Sequence, residues 1–205
     1  MANLDAAFGL RPYKRLGSSS NSTGASTYKV QTADTAGVAN VIYNGQGVIP
    51  LANGLVSYAS AAAGGTVSYL GVLISCEYTN LSGKPVFSNH YPGTAAIKAN
   101  TEATVMIASD PDQLFLINCD AAAADTLVHA NANFATSITG NATTGFSAGE
   151  LAVSTATTTN TLNLRIIGFE NTPASSDATV AGRLAIVMIN NHFHRYAANG
   201  LGVGL

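Results

Sequence analysis

Charge is what this sequence has least of. Its 205 residues carry 9 Lys+Arg and 11 Asp+Glu, so 10% are charged, against about a quarter in an ordinary soluble domain. A folded chain of this size exposes on the order of 9,000 Å², which leaves one charge per roughly 450 Å² where average composition gives one per about 175 Å². Such a surface repels its neighbours weakly and is cheap to desolvate. It suits a protein packed against copies of itself or against a larger assembly. The small charge that exists is nearly balanced at −2, so there is no basic excess to neutralise phosphates and nucleic acid is excluded as a partner class. No apolar run approaches 18 residues, which excludes a membrane-spanning helix. Met1–Leu10 has no cationic start followed by an apolar stretch, so no secretion signal is expected. Tryptophan is absent.

Cysteine is scarce too. Cys76 and Cys119 each sit at the end of an apolar run, Leu-Ile-Ser-Cys and Leu-Ile-Asn-Cys. That context predicts two buried free thiols in a reducing compartment. Neither has His or carboxylate at metal-ligand spacing. Long amphipathic helices are missing as well: no segment keeps a 3.6-residue apolar stripe between caps, and Ala121–Ala124 is too short to matter.

What is present is β-branched and punctuated. With 47% hydrophobic residues the chain can build a sizeable core, and its length allows one domain or one domain with an appendage. Strands are predicted at Ser26–Gln31, Val38–Tyr43, Gln46–Leu51, Leu55–Ala59, Thr66–Tyr78, Ala103–Ala108, Gln113–Asn118, Thr161–Gly168 and Arg183–Phe193. Leu162, Leu164 and Ile166 alternate with Thr161, Asn163 and Arg165, the period of a strand with one wet face. Asn44-Gly45 and Asn53-Gly54 read as tight hairpin turns. The fold class expected is all-β: a compact antiparallel barrel or sandwich, jelly-roll-like arrangements included, with an extended N-terminal arm. Residues 1–25 are assigned to the arm and a flexible linker, 26–196 to the β-rich body and 197–205 to a tail. The linker is Gly17–Ala25, which has no apolar anchor. Residues 136–160, mostly Thr, Ser, Ala, Asn and Gly, read either as long loops or as weakly apolar strands that pair at an oligomer interface.

Catalytic signatures are wanting. There is no Gly-x-Ser-x-Gly, no HExxH, no phosphate loop and no dinucleotide fingerprint, so no enzymatic activity, cofactor or metal is expected. His192 and His194 would point to one side of a strand, but no third ligand is nominated. Asp110, Asp112 and Asp120 bracket a strand, and Asp110-Pro111-Asp112 is better read as a turn than as a cation site. Glu77 and Glu102 stand alone. The sequons at Asn21, Asn80 and Asn141 carry no meaning without secretion. The cations are the exception: Arg11, Lys14 and Arg15 supply three of the nine and lie beside Phe8, Leu10 and Tyr13. Apolar anchors mixed with cations suit a docking segment, so Phe8, Leu10, Arg11, Tyr13, Lys14 and Arg15 are the candidate partner-binding residues.

One stretch brings a resemblance. Thr66–Gly93 reads TVSYLGVLISCEYTNLSGKPVFSNHYPG. Together with Ala-x-Phe-Gly-Leu-Arg-Pro (Ala6–Pro12), the Asp110-Pro111 turn, Leu-Arg-Ile-Ile-Gly (Leu164–Gly168) and Val-Met-Ile-Asn-Asn-His (Val187–His192), it resembles a family of virion structural proteins of tailed bacteriophages from marine and cyanobacterial hosts. Residues 136–160 depart from that pattern in being richer in Thr and Ala. The resemblance implies a capsid decoration or cement protein, made in the host cytoplasm and bound to the outside of the head lattice as a trimer. Its partners would be the major capsid protein and its own copies. The alternative is a fibre or carbohydrate-binding β-sandwich module. The lack of Trp, and the placing of most of the eight Tyr and seven Phe in apolar runs, weigh against it.

Overall fold

A computed structural model describes residues 3–17, 24–30, 41–59, 68–135 and 139–195. All its regular structure is β apart from two single turns of 3-10 helix. Among the described residues no helix is long and apolar enough to cross a membrane. The strands are β1 (Arg11–Arg15), β2 (Ala25–Val30), β3 (Gly47–Pro50), β4 (Val56–Tyr58), β5 (Gly71–Thr79), β6 (Pro85–Ser88), β7 (Ala103–Ala108), β8 (Gln113–Asn118), β9 (Asn131–Ala135), β10 (Glu150–Thr157), β11 (Leu164–Phe169) and β12 (Leu184–Ile189).

They form two six-stranded sheets. The second runs β3-β4-β2-β7-β5-β6, and β3 also pairs with β5 through Gly47↔Val72 and Val48↔Gly71. That extra pairing closes β3, β4, β2, β7 and β5 into a small barrel and leaves β6 outside on β5. Alternation fills the barrel: on β7, Ala103, Val105 and Ile107 point in while Thr104 and Met106 point out. Val30, Ile42, Val48, Leu73, Cys76 and Tyr91 complete its core. The first sheet runs β1-β8-β12-β11-β9-β10. It curls on itself, because Leu151 at the start of β10 bridges to Cys119 just past β8. Phe115, Ile117, Phe134, Leu151, Leu164, Ile166, Val187 and Ile189 pack inside it. The all-β expectation therefore holds, as a closed barrel joined to a curled sheet.

The two halves are stitched by main chain. Tyr69, just before β5, donates its N–H to Asn191 O (2.9 Å) and accepts from Phe193 N (2.8 Å). Its phenol is buried and receives a bond from Asn163 Nδ2 at 3.0 Å. Arg183 is the one buried cation among the described residues. It donates to Ala123 O (2.7 Å) and Asp125 Oδ1 (2.6 Å) and lies 4.0 Å over the Phe169 ring.

Several expectations meet the structure differently. The N-terminal segment is extended, but it is not apart from the body. β1 pairs antiparallel with β8 from Arg11↔Leu116 to Arg15↔Gln113, and Leu10 is 1% exposed within the core. The arm therefore belongs to the first sheet, since a cationic strand with Pro12 still offers alternate backbone groups to an apolar partner. Most of the proposed linker, residues 18–23, lies outside the described residues, as do 38–40 of the Val38–Tyr43 strand and the tail 197–205. Within 136–160, Glu150–Thr157 is a strand that pairs with β9 of the same chain, so it does not wait for an oligomer. Strands β1, β6 and β9 went unpredicted because Pro, Lys, Asn and Ala dilute their apolar signal. The Asn53-Gly54 hairpin is present, with Gly54 at φ +78°. Gly45 makes a turn closed by Gln46 N to Tyr43 O (3.0 Å), but Ile42 bridges Tyr91 rather than β3. Both thiols are free and buried, and burial pushes each up to about 12.

Candidate partner-binding cleft

Three remote segments converge beside the start of β1. Leu10 N donates to Gly45 O (2.8 Å), and Gly9 N to Gly149 O (3.0 Å). Asn44 N donates to Gly145 O (2.9 Å), and Ser147 N to Asn44 O (2.9 Å). The backbones meet so closely that side chains are excluded. Gly9 has φ +76° and Gly45 φ +85°, and a Cβ on Gly45 would sit 2.7 Å from Phe8 O. Gly45→Ala is therefore expected to cost about 2 kcal/mol, from left-handed strain plus the clash, read as a lower urea midpoint with an unchanged slope.

That backbone knot holds a cleft of 370 Å³ lined by Phe8, Arg11, Asn44 and Phe146. Phe146 is 48% exposed at the end of a turn pinned by Asn141, whose Oδ1 accepts from Thr143 N (2.8 Å) and Thr144 N (3.1 Å). From the far side Asn89 Nδ2 donates to Thr144 O at 2.6 Å. The Arg11 guanidinium lies 5.9 Å from the Phe8 ring centre and has no ion pair among the described residues. The Asn44 amide is anchored by its NH₂ on Ile74 O. Two aromatic walls, a cation without a carboxylate among the described residues and fixed backbone are chemically suited to a flat or apolar group that carries an acidic or polar end.

The six nominated residues thus divide. Phe8 and Arg11 share the cleft. Leu10 is core and cannot touch a partner, which corrects its assignment as a docking residue. The Tyr13 hydroxyl donates to Glu170 Oε2 at 3.2 Å, and the Glu170 charge raises its pKa above the ordinary phenol value. Lys14 Nζ sits 5.2 Å from the Tyr13 ring centre, and Arg15 is bound to Asp110 at 2.7 Å. Asn44 and Phe146 were missed. Phe146 had a signal, being the only aromatic residue between 136 and 160.

A second, polar cleft of 420 Å³ lies at the other end of β1, between Arg15, Tyr28, Ser109, Asp110, Asp112 and His194. Its charges are spent on each other: Arg15 on Asp110, and Arg195 on Asp112 at 2.8 Å. The Asp110-Pro111-Asp112 turn forms, with Asp112 N on Asp110 Oδ1 (2.8 Å) and Gln113 N on Asp110 O (3.1 Å). His192 is buried, its Nδ1 accepting from His194 N at 3.1 Å, with the two rings 5.8 Å apart. Among the described residues no group of three His, Cys, Asp or Glu is placed to hold a metal ion. Compared with known proteins, the chain matches no family model, no curated protein and no solved structure.

Proposed function

We propose that this chain is a structural protein of a tailed-bacteriophage head, a decoration or cement protein that binds the exterior of the capsid lattice. The observation that carries most weight is the Phe8–Arg11–Asn44–Phe146 cleft on a surface otherwise poor in charge. It holds a guanidinium with no ion pair among the described residues, and two of its residues come from the segment whose composition suits docking. A protruding apolar or aromatic side chain of the major capsid protein, with a carboxylate beside it, would fill the aromatic walls and neutralise Arg11. Many such contacts repeated over a lattice make weak sites collectively strong. Attachment of this kind needs binding only.

The deciding experiment is pelleting of the purified chain with capsids of the virus that encodes it. Saturable binding at a fixed number of copies per head is expected. Phe8→Ala combined with Arg11→Glu should weaken it by about 30-fold or more, the effect of losing one anchoring residue of about 2 kcal/mol. No cosedimentation, or equal binding by the variant, would sink the reading.

One observation favours a second reading, a carbohydrate-binding module. Phe rings flanking an amide and a guanidinium in an open cleft, here the exposed Phe146 and the half-buried Phe8, are also what sugar sites use. Titration with host surface polysaccharide separates the two: heat that disappears in the same double variant, without capsid binding, would replace the first reading.

A further inference from the structure

We propose that β6 is a seam at which a second copy of this chain joins, edge to edge and antiparallel, about a two-fold axis through Phe87. On its inner side β6 pairs with β5 from Cys76↔Ser88 to Thr79↔Pro85. Its outer side faces no strand among the described residues. An open edge is a template for another strand unless something blunts it. Of the first sheet's two outlying strands, β10 is met at its start by Cys119 and Asp120 of the same chain, and β1 is blunted by Pro12 and by Arg11, Lys14 and Arg15. Two copies of it side by side would set like charges against each other. β6 carries no charge at all: its sequence is Pro-Val-Phe-Ser.

The side chains support the same register. Phe87 is 78% exposed, more than Leu4 at 70% or any other large apolar residue described. It stands on the outer sheet face beside a groove of 250 Å³ that Thr27, Ser75, Glu77, Thr104 and Met106 also line. With the axis at Phe87, the two Phe87 rings become a cross-strand aromatic pair and lie against each other's groove. Val86 then faces the partner's Ser88, and each side chain keeps its own face of the sheet. The nearest charge in the row is Glu77, opposite Phe87 on β5. Across the axis the two Glu77 carboxylates stand three strand spacings apart, about 14 Å, beyond the screening length at physiological salt. Pro85 has no N–H to give, so the ladder ends there and the seam stays short. With four residues a side, the seam is small beside the about 1,600 Å² of a standard interface, and the association expected is a weak, micromolar one. An isologous seam closes at two copies and does not build the trimer that the sequence resemblance implies. It stands independently of capsid binding.

Sedimentation at about 100 µM, well above a micromolar dissociation constant, tests the seam. The wild-type chain should run at twice its 20.9 kDa mass. Phe87→Lys and Phe87→Glu should each run as monomers with unchanged melting, because the replaced side chain lies outside the core. Mixing the two should restore the dimer, lysine opposite glutamate. A wild-type monomer, a trimer, a dimer that survives in both variants, or a mixture that stays monomeric would overturn the proposal.

Discussion

A chain that begins at Ser26 is expected to lose its cooperative thermal transition. The missing residues include Leu10, which is fully enclosed by the core of the first sheet, and β1, which covers the edge of β8. Burying a leucine and then deleting it costs about 2–5 kcal/mol by the cavity and transfer terms alone. Loss of the β1 ladder exposes the apolar β8 edge besides. Asn3 goes too, with the bonds its side chain gives to Asp177 O (2.7 Å) and Ala181 O (3.1 Å). Against a total stability of about 5–15 kcal/mol these losses leave little. Circular dichroism melts of the shortened chain and of Leu10→Ala give the check. The first should show no sigmoid, and the second a midpoint many degrees lower. A shortened chain that melts like the full one would mean that β1 contributes nothing to the fold.

Acid should destabilise the protein through His192. Burial pulls its pKa down to about 4, and the neighbouring His194 and Arg195 act in the same direction, while Asp110 and Asp112 oppose them. Unfolded, the imidazole titrates near 6.5, so between these values the unfolded chain binds the extra proton. Stability is therefore full above about pH 6.5, falls as pH drops through the window, and levels off below about 4. The difference corresponds to about 3 kcal/mol. His90, also depressed by burial, adds in the same sense, and Glu150, raised by burial and by Asp5 and Asp120, works against them. Urea midpoints at pH 7 and pH 4.5 should differ strongly in the wild type. In His192→Asn, which keeps an acceptor for His194 N, the difference should be much smaller. Equal pH dependence in both would remove His192 from the account.

The barrel was legible where alternation is clean. Ala103–Ala108 and Gln113–Asn118 match their predicted bounds, because Ala103, Val105 and Ile107 in the one and Phe115 and Ile117 in the other mark an apolar face. β9 (Asn-Ala-Asn-Phe-Ala) is not legible, since its core-facing residues are one alanine, Ala132, and one phenylalanine, Phe134, too little volume to stand out in sequence. β1 was read as a free arm because cations and Pro looked like solvent-facing chain. Only its pairing with a strand roughly a hundred residues away reveals it as sheet. The cleft was half legible for the same reason. Phe8 and Arg11 announce themselves by composition. Asn44 and Phe146 reach them only through backbone bonds among Gly9, Gly45, Gly145 and Gly149, which leave no local trace beyond the glycines themselves.

The strand order also sets a clock. Every strand of the second sheet falls between residues 25 and 108, so that barrel can close as soon as this stretch has been synthesised. The first sheet cannot: its β8 takes β1, near the start of the chain, on one side and β12, near residue 189, on the other. At translation rates of about 5–20 residues per second, β1 waits on the order of 5–20 s before β8 exists to receive it. Long-range pairing of this kind is slow and exposes unpaired edges meanwhile. The three cations and the proline that blunt β1 in the finished fold keep it soluble through that interval, when it has nothing yet to pair with.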